Sequence, residues 1–293
     1  MGSTVFPAAG GGVTQKVSQF TSTGTFVVPS NCSAVQVLLV GAGGGGGCGK
    51  STSTNNILCA GGGGGGEVYE GIISVTAGAS YTVTIGAGGA GSGAVSSAGG
   101  TGGSTTFGSL ATANGGGGGA GIPQDYSGFT GPTRNGGYGG GGNQYAGGGG
   151  GGAGGNATGI PGQETGTSQG VWAVPLAVNN TTRIGGMGFY GTTNTAANGS
   201  NIAGIGKYGF GNGGPGACRT WDNFGGNTGA QAMGCGTSRA DIFMSNTSTL
   251  TAGTSATANT GDGGGGAASN WGAANTRTGW NGGSGFARVI YWS

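Results

Sequence analysis

The chain has 293 residues, of which 84 are Gly, nine are Lys or Arg, seven are Asp or Glu and none is His, for a formal net charge of +2. Collagen requires strict Gly-X-Y spacing with abundant Pro, and seven Pro without a sustained triplet exclude it. Disordered segments are usually strongly charged and poor in aromatics, so five Trp, eight Tyr and ten Phe on so weakly charged a chain favour folding.

Residues 1–12 have neither the basic nor the apolar segment of a signal peptide, so a chain made without export is expected. Met1-Gly2 opens like a myristoylation site, but Phe6 stands where Ser or Thr is needed. Thr25-Phe26-Val27-Val28 has strand character and leads into a turn at Pro29-Ser30-Asn31; residues 34–40 are a β-branched run of strand length. Residues 67–75 and 81–85 are two further strands, and the five residues between them, 76–80, read as a hairpin loop. In the second of these, Tyr81, Val83 and Ile85 alternate with Thr82 and Thr84.

Residues 286–292 form a last strand with no apolar neighbour in sequence. A lone terminal strand is unstable, so it is expected to pair with the N-terminal strands. The expected fold is therefore mainly β with essentially no α-helix. A small antiparallel β-sandwich-like module, residues 20–112 plus 285–293, is closed by the C-terminal strand and carries a long glycine-rich insertion, residues 113–284.

That insertion contains glycine runs at 115–119, 139–142, 147–152 and 263–266, and the β module adds 43–47 and 61–66. Helix is excluded through the runs because each Gly costs about 0.8–1.0 kcal/mol relative to Ala. Ordinary strands are poor because Gly offers nothing to pack. The remaining ordered state is polyglycine II, a left-handed threefold helix of about 3.1 Å per residue that keeps its N–H. Ordering costs about 1–2 kcal/mol per residue, and each paired amide returns roughly 0.5–1.5, so only a bundle with nearly every group engaged compensates. The insertion is expected to form that bundle.

The five Cys are at 32, 48, 59, 218 and 235, with no close C-x-x-C pair and no His to complete a zinc set. Free thiols, bridges closing 48–59 and 218–235, and a metal site are the alternatives. Residues 44–51 spell G-G-G-G-C-G-K-S, a literal phosphate-loop pattern after a strand, in which Lys50 would reach phosphate and Ser51 would hold Mg²⁺. Both Gly conditions are met trivially inside a glycine run, residues 51–56 cannot open the required helix, and no later strand ends in a metal-binding Asp. A polar loop between two runs is the preferred reading, and no cofactor is expected.

Nine scattered cations make no basic stripe, so nucleic acid is not an expected partner. No window approaches the roughly 18 apolar residues of a membrane span, so no membrane insertion is expected. Without His the Ser-His-Asp and Cys-His arrangements are impossible. The acids Glu67, Glu70, Asp125, Glu164, Asp222, Asp241 and Asp262 are thinly spread, so an enzyme is not expected. Sequons at Asn31, Asn156, Asn198 and Asn246 are those chance supplies in a chain rich in Asn, Ser and Thr.

The informative residues of the insertion are its aromatics, which either cap the bundle or form contacts at loop tips, as Tyr and Trp do at binding surfaces. Phe189-Tyr190 between glycines and Trp221-Asp222-Asn223-Phe224 are the preferred contact loops, with Tyr208 a further candidate.

At this point the chain resembles the glycine-rich domain of bacteriophage tail-fibre and receptor-binding proteins. The resemblance rests on residues 25–29, on 35–43 running into glycines, on 61–66 with the strand that follows, on 81–89 and 102–108, and on the closing 283–290. More loosely, glycine runs alternating with variable loops are similar to the tip adhesins of T-even-like phages. The resemblance implies a non-enzymatic virion surface protein, assembled in the host cytoplasm, whose inter-run loops contact a host surface glycan or outer-membrane protein. It also implies a homotrimer. Residues 1–19 would then be the docking segment toward other virion or tail proteins, through Val5, Phe6, Val13 and Val17. A glycine-rich ice-binding protein and a cell-wall or silk-like structural protein are the alternatives. Thermal hysteresis would favour the first of these, and the aromatic β module speaks against the second.

Overall fold

The computed structural model describes residues 13–50, 60–94, 97–119, 121, 206–220, 236–244, 249–268 and 276–293. Among these there is no α-helix. The strands in chain order are β1 (Gln15–Phe20), β2 (Gly24–Val27), β3 (Ala34–Val40), β4 (Gly49–Lys50), β5 (Val68–Ser74), β6 (Ser80–Thr84), β7 (Thr105–Phe107), β8 (Ala111–Ala113), β9 (Cys218–Thr220), β10 (Ile242–Met244), β11 (Thr249–Thr251), β12 (Thr276–Arg277) and β13 (Phe286–Trp292).

Two four-stranded antiparallel sheets form the β module, one in the order β1-β13-β3-β5 and the other β2-β6-β7-β8. Val35, Val37 and Leu39 of β3 and Ala287 and Val289 of β13 cluster with Phe26, Val83, Phe107 and Ala113 of the second sheet. Phe107 is fully buried, stacked on Tyr81 at 5.2 Å and tilted against Phe26 at 5.9 Å. The other face of β3 is covered too, since Leu38 and Val40 pack with Val68, Phe210 and Phe286. Burial on both faces is why this strand reads as an almost unbroken apolar run.

The C-terminal strand closes the first sheet, lying between β1 and β3. The hairpin expected from residues 67–85 is corrected. β5 pairs with β3, whereas β6 pairs with β2 and β7, so the connection through Gly78 (φ 74°) passes between sheets. Alternation identifies a strand's inward face but not its partner, and a five-residue connection suits either geometry.

A second correction concerns the bundle, which is not confined to the insertion. Its axis is residues 41–47, the run that continues β3. The amides of this segment donate to three neighbours in rotation. Gly43 and Gly46 reach Gly283 and Trp280, Gly44 and Gly47 reach Gly64 and Gly61, and Ala42 and Gly45 reach Gly103 and Gly100. Its carbonyls accept from three other neighbours with the same period. Gly89 and Ser92 donate to Gly43 and Gly46, Gly264 and Ala267 to Gly44 and Gly47, and Gly116 and Gly119 to Ala42 and Gly45. A repeat of three residues is that of polyglycine II, and six bonded neighbours make the packing hexagonal.

The neighbours also bond one another in a closed ring. Gly64 donates to Gly117, Gly99 to Gly119, Gly100 to Ala90, Gly282 to Gly89, Gly283 to Asp262 and Gly63 to Gly264. Successive members of the ring alternate in direction, as the falling and rising residue pairs show. Residues 211–217 lie outside the ring, where Gly214 and Ala217 donate to Gly63 and Ala60. Pro215 sits in that outer segment, and its carbonyl accepts from Gly266.

The sequence explains the architecture once the strands are followed outward. β3, β6 and β8 run directly into bundle segments, and β5, β7 and β13 emerge from them. Stacked sheets stay about 10 Å apart because side chains fill the gap. Where the chains turn to glycine nothing separates the backbones, and the two layers close to hydrogen-bonding distance. The insertion supplies residues 114–119, 211–217, 261–268 and 279–283 to the described bundle; the runs at 139–142 and 147–152 lie outside the described residues.

Candidate functional site

The alternating directions give the molecule two unlike ends. One holds the sheets, and there Thr14 and Ser293 exchange backbone hydrogen bonds at 3.1 Å in both directions. The other end is marked by two small sheets, β12-β4 and β11-β10-β9. Residues 51–59, 122–205, 221–235 and 269–275, which lie outside the described residues, each follow a segment that runs toward this second, distal end. Trp221 is the residue after Thr220, the last residue of β9.

A buried carboxylate organises the distal end. Asp241, fully buried, accepts from the Gly253 amide (2.8 Å) and the Trp280 indole N–H (3.0 Å) on Oδ1. Its Oδ2 accepts from the Ala268 amide (3.2 Å) and Arg277 Nε (3.1 Å). Four N–H groups, two of them from the one segment that carries Arg277 and Trp280, thus converge on one side chain. Asp262 plays the corresponding part at the sheet end of the bundle. It accepts from the Asn212 amide and Nδ2 (3.0 and 2.8 Å) on one oxygen, and from the Thr237 amide and Oγ1 (2.9 and 3.0 Å) on the other. Glu67, also fully buried, accepts from the amide and Nδ2 of Asn114. These acids staple glycine segments that have no side chains of their own to do so.

Tyr208 stands apart, on the flank where bundle and sheets meet. It is 63% exposed at φ 56°, in a tight turn where Lys207 and Phe210 exchange backbone hydrogen bonds. Its hydroxyl donates to Glu70 Oε2 at 2.8 Å, Lys207 Nζ lies 4.7 Å from its ring centroid and 3.6 Å from the same carboxylate oxygen, and Gln36 Nε2 donates to the other oxygen at 3.3 Å. Phe210 anchors the turn, stacked on Phe286 at 5.5 Å.

Of the sequence-predicted contact residues, Tyr208 is therefore exposed, whereas Phe189, Tyr190, Trp221, Asp222, Asn223 and Phe224 lie outside the described residues. Among the expected docking residues, Val13 and Val17 are exposed and Val5 and Phe6 lie outside. Val17 belongs to β1, so the expected docking segment 1–19 overlaps the first sheet. Phe210 and Trp280, two of the insertion's aromatics, are packing and stapling residues.

The phosphate-loop pattern has no cradle to offer. The amides of Gly44, Gly45, Gly46 and Gly47 donate to Gly64, Gly100, Trp280 and Gly61, and the segment is buried. Cys32 is a buried free thiol that donates to the Ala34 carbonyl, Cys48 is buried, and Cys59 and Cys235 lie outside the described residues. Among the described residues no three His, Cys, Asp or Glu side chains gather as a metal set, and no helix is long and apolar enough to cross a membrane.

A family model described as a glycine-rich domain matches residues 19–292. The chain belongs to this glycine-rich domain family. The match begins within β1 and ends at the last residue of β13, so the glycine-rich domain comprises both sheets and the bundle together. No curated protein matches the chain.

Proposed function

We propose that this glycine-rich domain is a non-enzymatic virion surface component, of a tail fibre or receptor-binding assembly, that presents loops for attachment to a host cell. One observation carries the reading: the segments that lead into residues 51–59, 122–205, 221–235 and 269–275 all run toward the end of the bundle opposite the sheets. A bundle of backbone hydrogen bonds is a stiff stem that leaves the loops free to vary, because its order comes from glycine and not from loop side chains. Binding residues are concentrated on loops held by a rigid scaffold. In this reading Trp221 to Phe224 and Phe189-Tyr190 supply aromatic contacts to a host glycan or outer-membrane protein, and the sheet end faces the rest of the virion.

Immunogold labelling of phage particles that carry this chain tests the placement. Label on the tail fibres or baseplate is expected, and particles that never take label would overturn it. Attachment is tested separately by binding purified protein to the cells those particles infect. Saturable binding, reduced at least about tenfold in Trp221→Ala or Tyr190→Ala at an unchanged melting temperature, is expected for hot-spot aromatics.

A further inference from the structure

The first sheet ends on one side at β1, whose outer edge has no strand beside it among the described residues. Thr14 and Ser293 form a doubly hydrogen-bonded pair. In an antiparallel ladder such pairs alternate with non-bonded ones, so Gln15, Val17 and Gln19 turn their N–H and C=O groups outward. β1 has no Pro, pairs with β13 without a bulge over its whole length, and carries exposed Val17 at its centre. Long, regular, exposed edges are a hazard that soluble proteins usually cover or blunt. The opposite edge, β5, is flanked by the turn at Lys207–Phe210, tied down through Glu70, and the second sheet's edge strands, β2 and β8, are shorter.

We propose that β1 is the seam of a twofold dimer, in which it pairs antiparallel with β1 of a second copy about Val17. The register is self-complementary in three respects. Placing Val17 opposite its counterpart sets Gln15 opposite Gln19, so all three outward-facing residues meet outward-facing residues and every free edge group finds a partner. Pairs such as Val17 with Val17 and Gln15 with Gln19 also keep corresponding sheet faces on the same side, because their positions differ by even steps. The strand's one charge, Lys16, falls opposite Ser18 and meets no like charge. Ile290 and Trp292, which share the Val17 face of the sheet through their β13 positions, extend the apolar contact on both sides of the seam.

A second copy fits this edge better than the chain's own N-terminal residues. Folding residues 1–12 back along β1 would bring Pro7 into the added strand, where it removes a ladder donor, and the three glycines at 10–12 would add no side chain to pack. The pairing does not depend on the attachment function proposed above.

Sedimentation velocity on the full chain up to about 0.5 mM tests the proposal over the range of weak specific contacts. Twice the monomer mass is expected at the upper end. Val17→Lys and Val17→Glu should each be monomeric, and an equimolar mixture should regain the dimer mass, because position 17 meets position 17. Val17→Pro should also be monomeric with an unchanged melting temperature, since the amide it removes points outward and not into the ladder with β13. A monomer at every concentration, a trimer, or a charge-swap mixture that stays monomeric would overturn the proposal. So would a monomer whose Gln15, Val17 and Gln19 amides are protected from hydrogen exchange, which would mean that residues 1–12 cover the edge.

Discussion

Gly44 lies with its Cα against the carbonyl oxygen of Gly117, so closely that a Cβ added at Gly44 would overlap that oxygen. The same holds along the axial segment, where a Cβ at Gly43, Gly45 or Gly46 would overlap a carbonyl of Asp262, Ala90 or Gly265. These approaches are the Cα–H···O contacts that supplement the N–H···O bonds in a side-chain-free bundle. The backbones around the axis are themselves hydrogen-bonded on several sides, so they cannot shift for one methyl group without breaking other bonds. Gly44→Ala is therefore expected to cost at least about 3 kcal/mol, beyond its local propensity. Gly93→Ala is the control. Its Cβ would meet nothing nearer than Thr278 Oγ1 at 3.5 Å, and reduced unfolded-state freedom should leave it neutral or stabilised by up to about 1 kcal/mol. Chemical denaturation of the two variants checks both expectations, and equal stabilities would refute the close-packed axis.

Asp241 offers a second test, of how segments without side chains are held at the distal end. All four of its hydrogen bonds come from N–H donors. Asp241→Asn turns an amino group toward two of those donors and removes the charge that Arg277 pairs with. Breaking one partner of a buried ion pair costs about 3–5 kcal/mol, and a loss at the lower end is expected because the Arg277 side chain is 33% exposed. Arg277→Gln should cost less, because three donors to Asp241 remain. Hydrogen exchange should show the first loss of protection at Gly253 and Ala268, whose amides the carboxylate holds.

The strands were legible because their apolar residues alternate or run unbroken. Val35 to Val40, Tyr81 to Ile85 and Phe286 to Trp292 announce burial whatever their partners are. The lone apolar strand at the C-terminus even identified its partners by elimination. The glycine runs were legible as a bundle but not by position. Glycine carries no pattern that says which run is central, and proximity to the apolar strands suggested that 43–47 and 61–66 merely punctuate the β module. In fact a run that directly extends a core strand is the one carried to the axis. The acid staples were hidden for a different reason. Asp241 and Asp262 meet donors between 12 and 50 residues away, and only the bundle's ring order brings those donors together.

Phe107 gives a prediction for the sheets that is independent of the bundle. It is fully buried between Phe26 and Tyr81, at the end of β7 away from the bundle, next to the turn into β8. Phe107→Ala should cost about 3–5 kcal/mol. Phe107→Leu, which retains most of the volume but loses both ring contacts, should cost less than half as much. Denaturation midpoints of the two variants check the ratio, and equal losses would show that ring stacking, not volume, dominates here.

Tyr208 separates a structural role from a contact role. With φ 56° at Tyr208 and 82° at Gly209, and with Lys207 and Phe210 exchanging both backbone hydrogen bonds, the turn has the positive-φ character of a type I′ hairpin. Asn is favoured at its first position and a bulky aromatic is not, so Tyr208→Asn relieves backbone strain of about 1 kcal/mol. The same change removes the hydroxyl bond to Glu70, worth roughly 1 kcal/mol at so exposed a site. The two effects nearly cancel, so Tyr208→Asn should melt close to the parent while removing the exposed ring. If the ring contacts a host surface, cell binding falls in Tyr208→Asn at unchanged stability and is kept in Tyr208→Phe, which loses only the roughly 1 kcal/mol of the hydroxyl bond. A loss of several kcal/mol in Tyr208→Asn would instead assign the tyrosine to holding the turn against Glu70, and binding unchanged in both variants would remove Tyr208 from the contact surface.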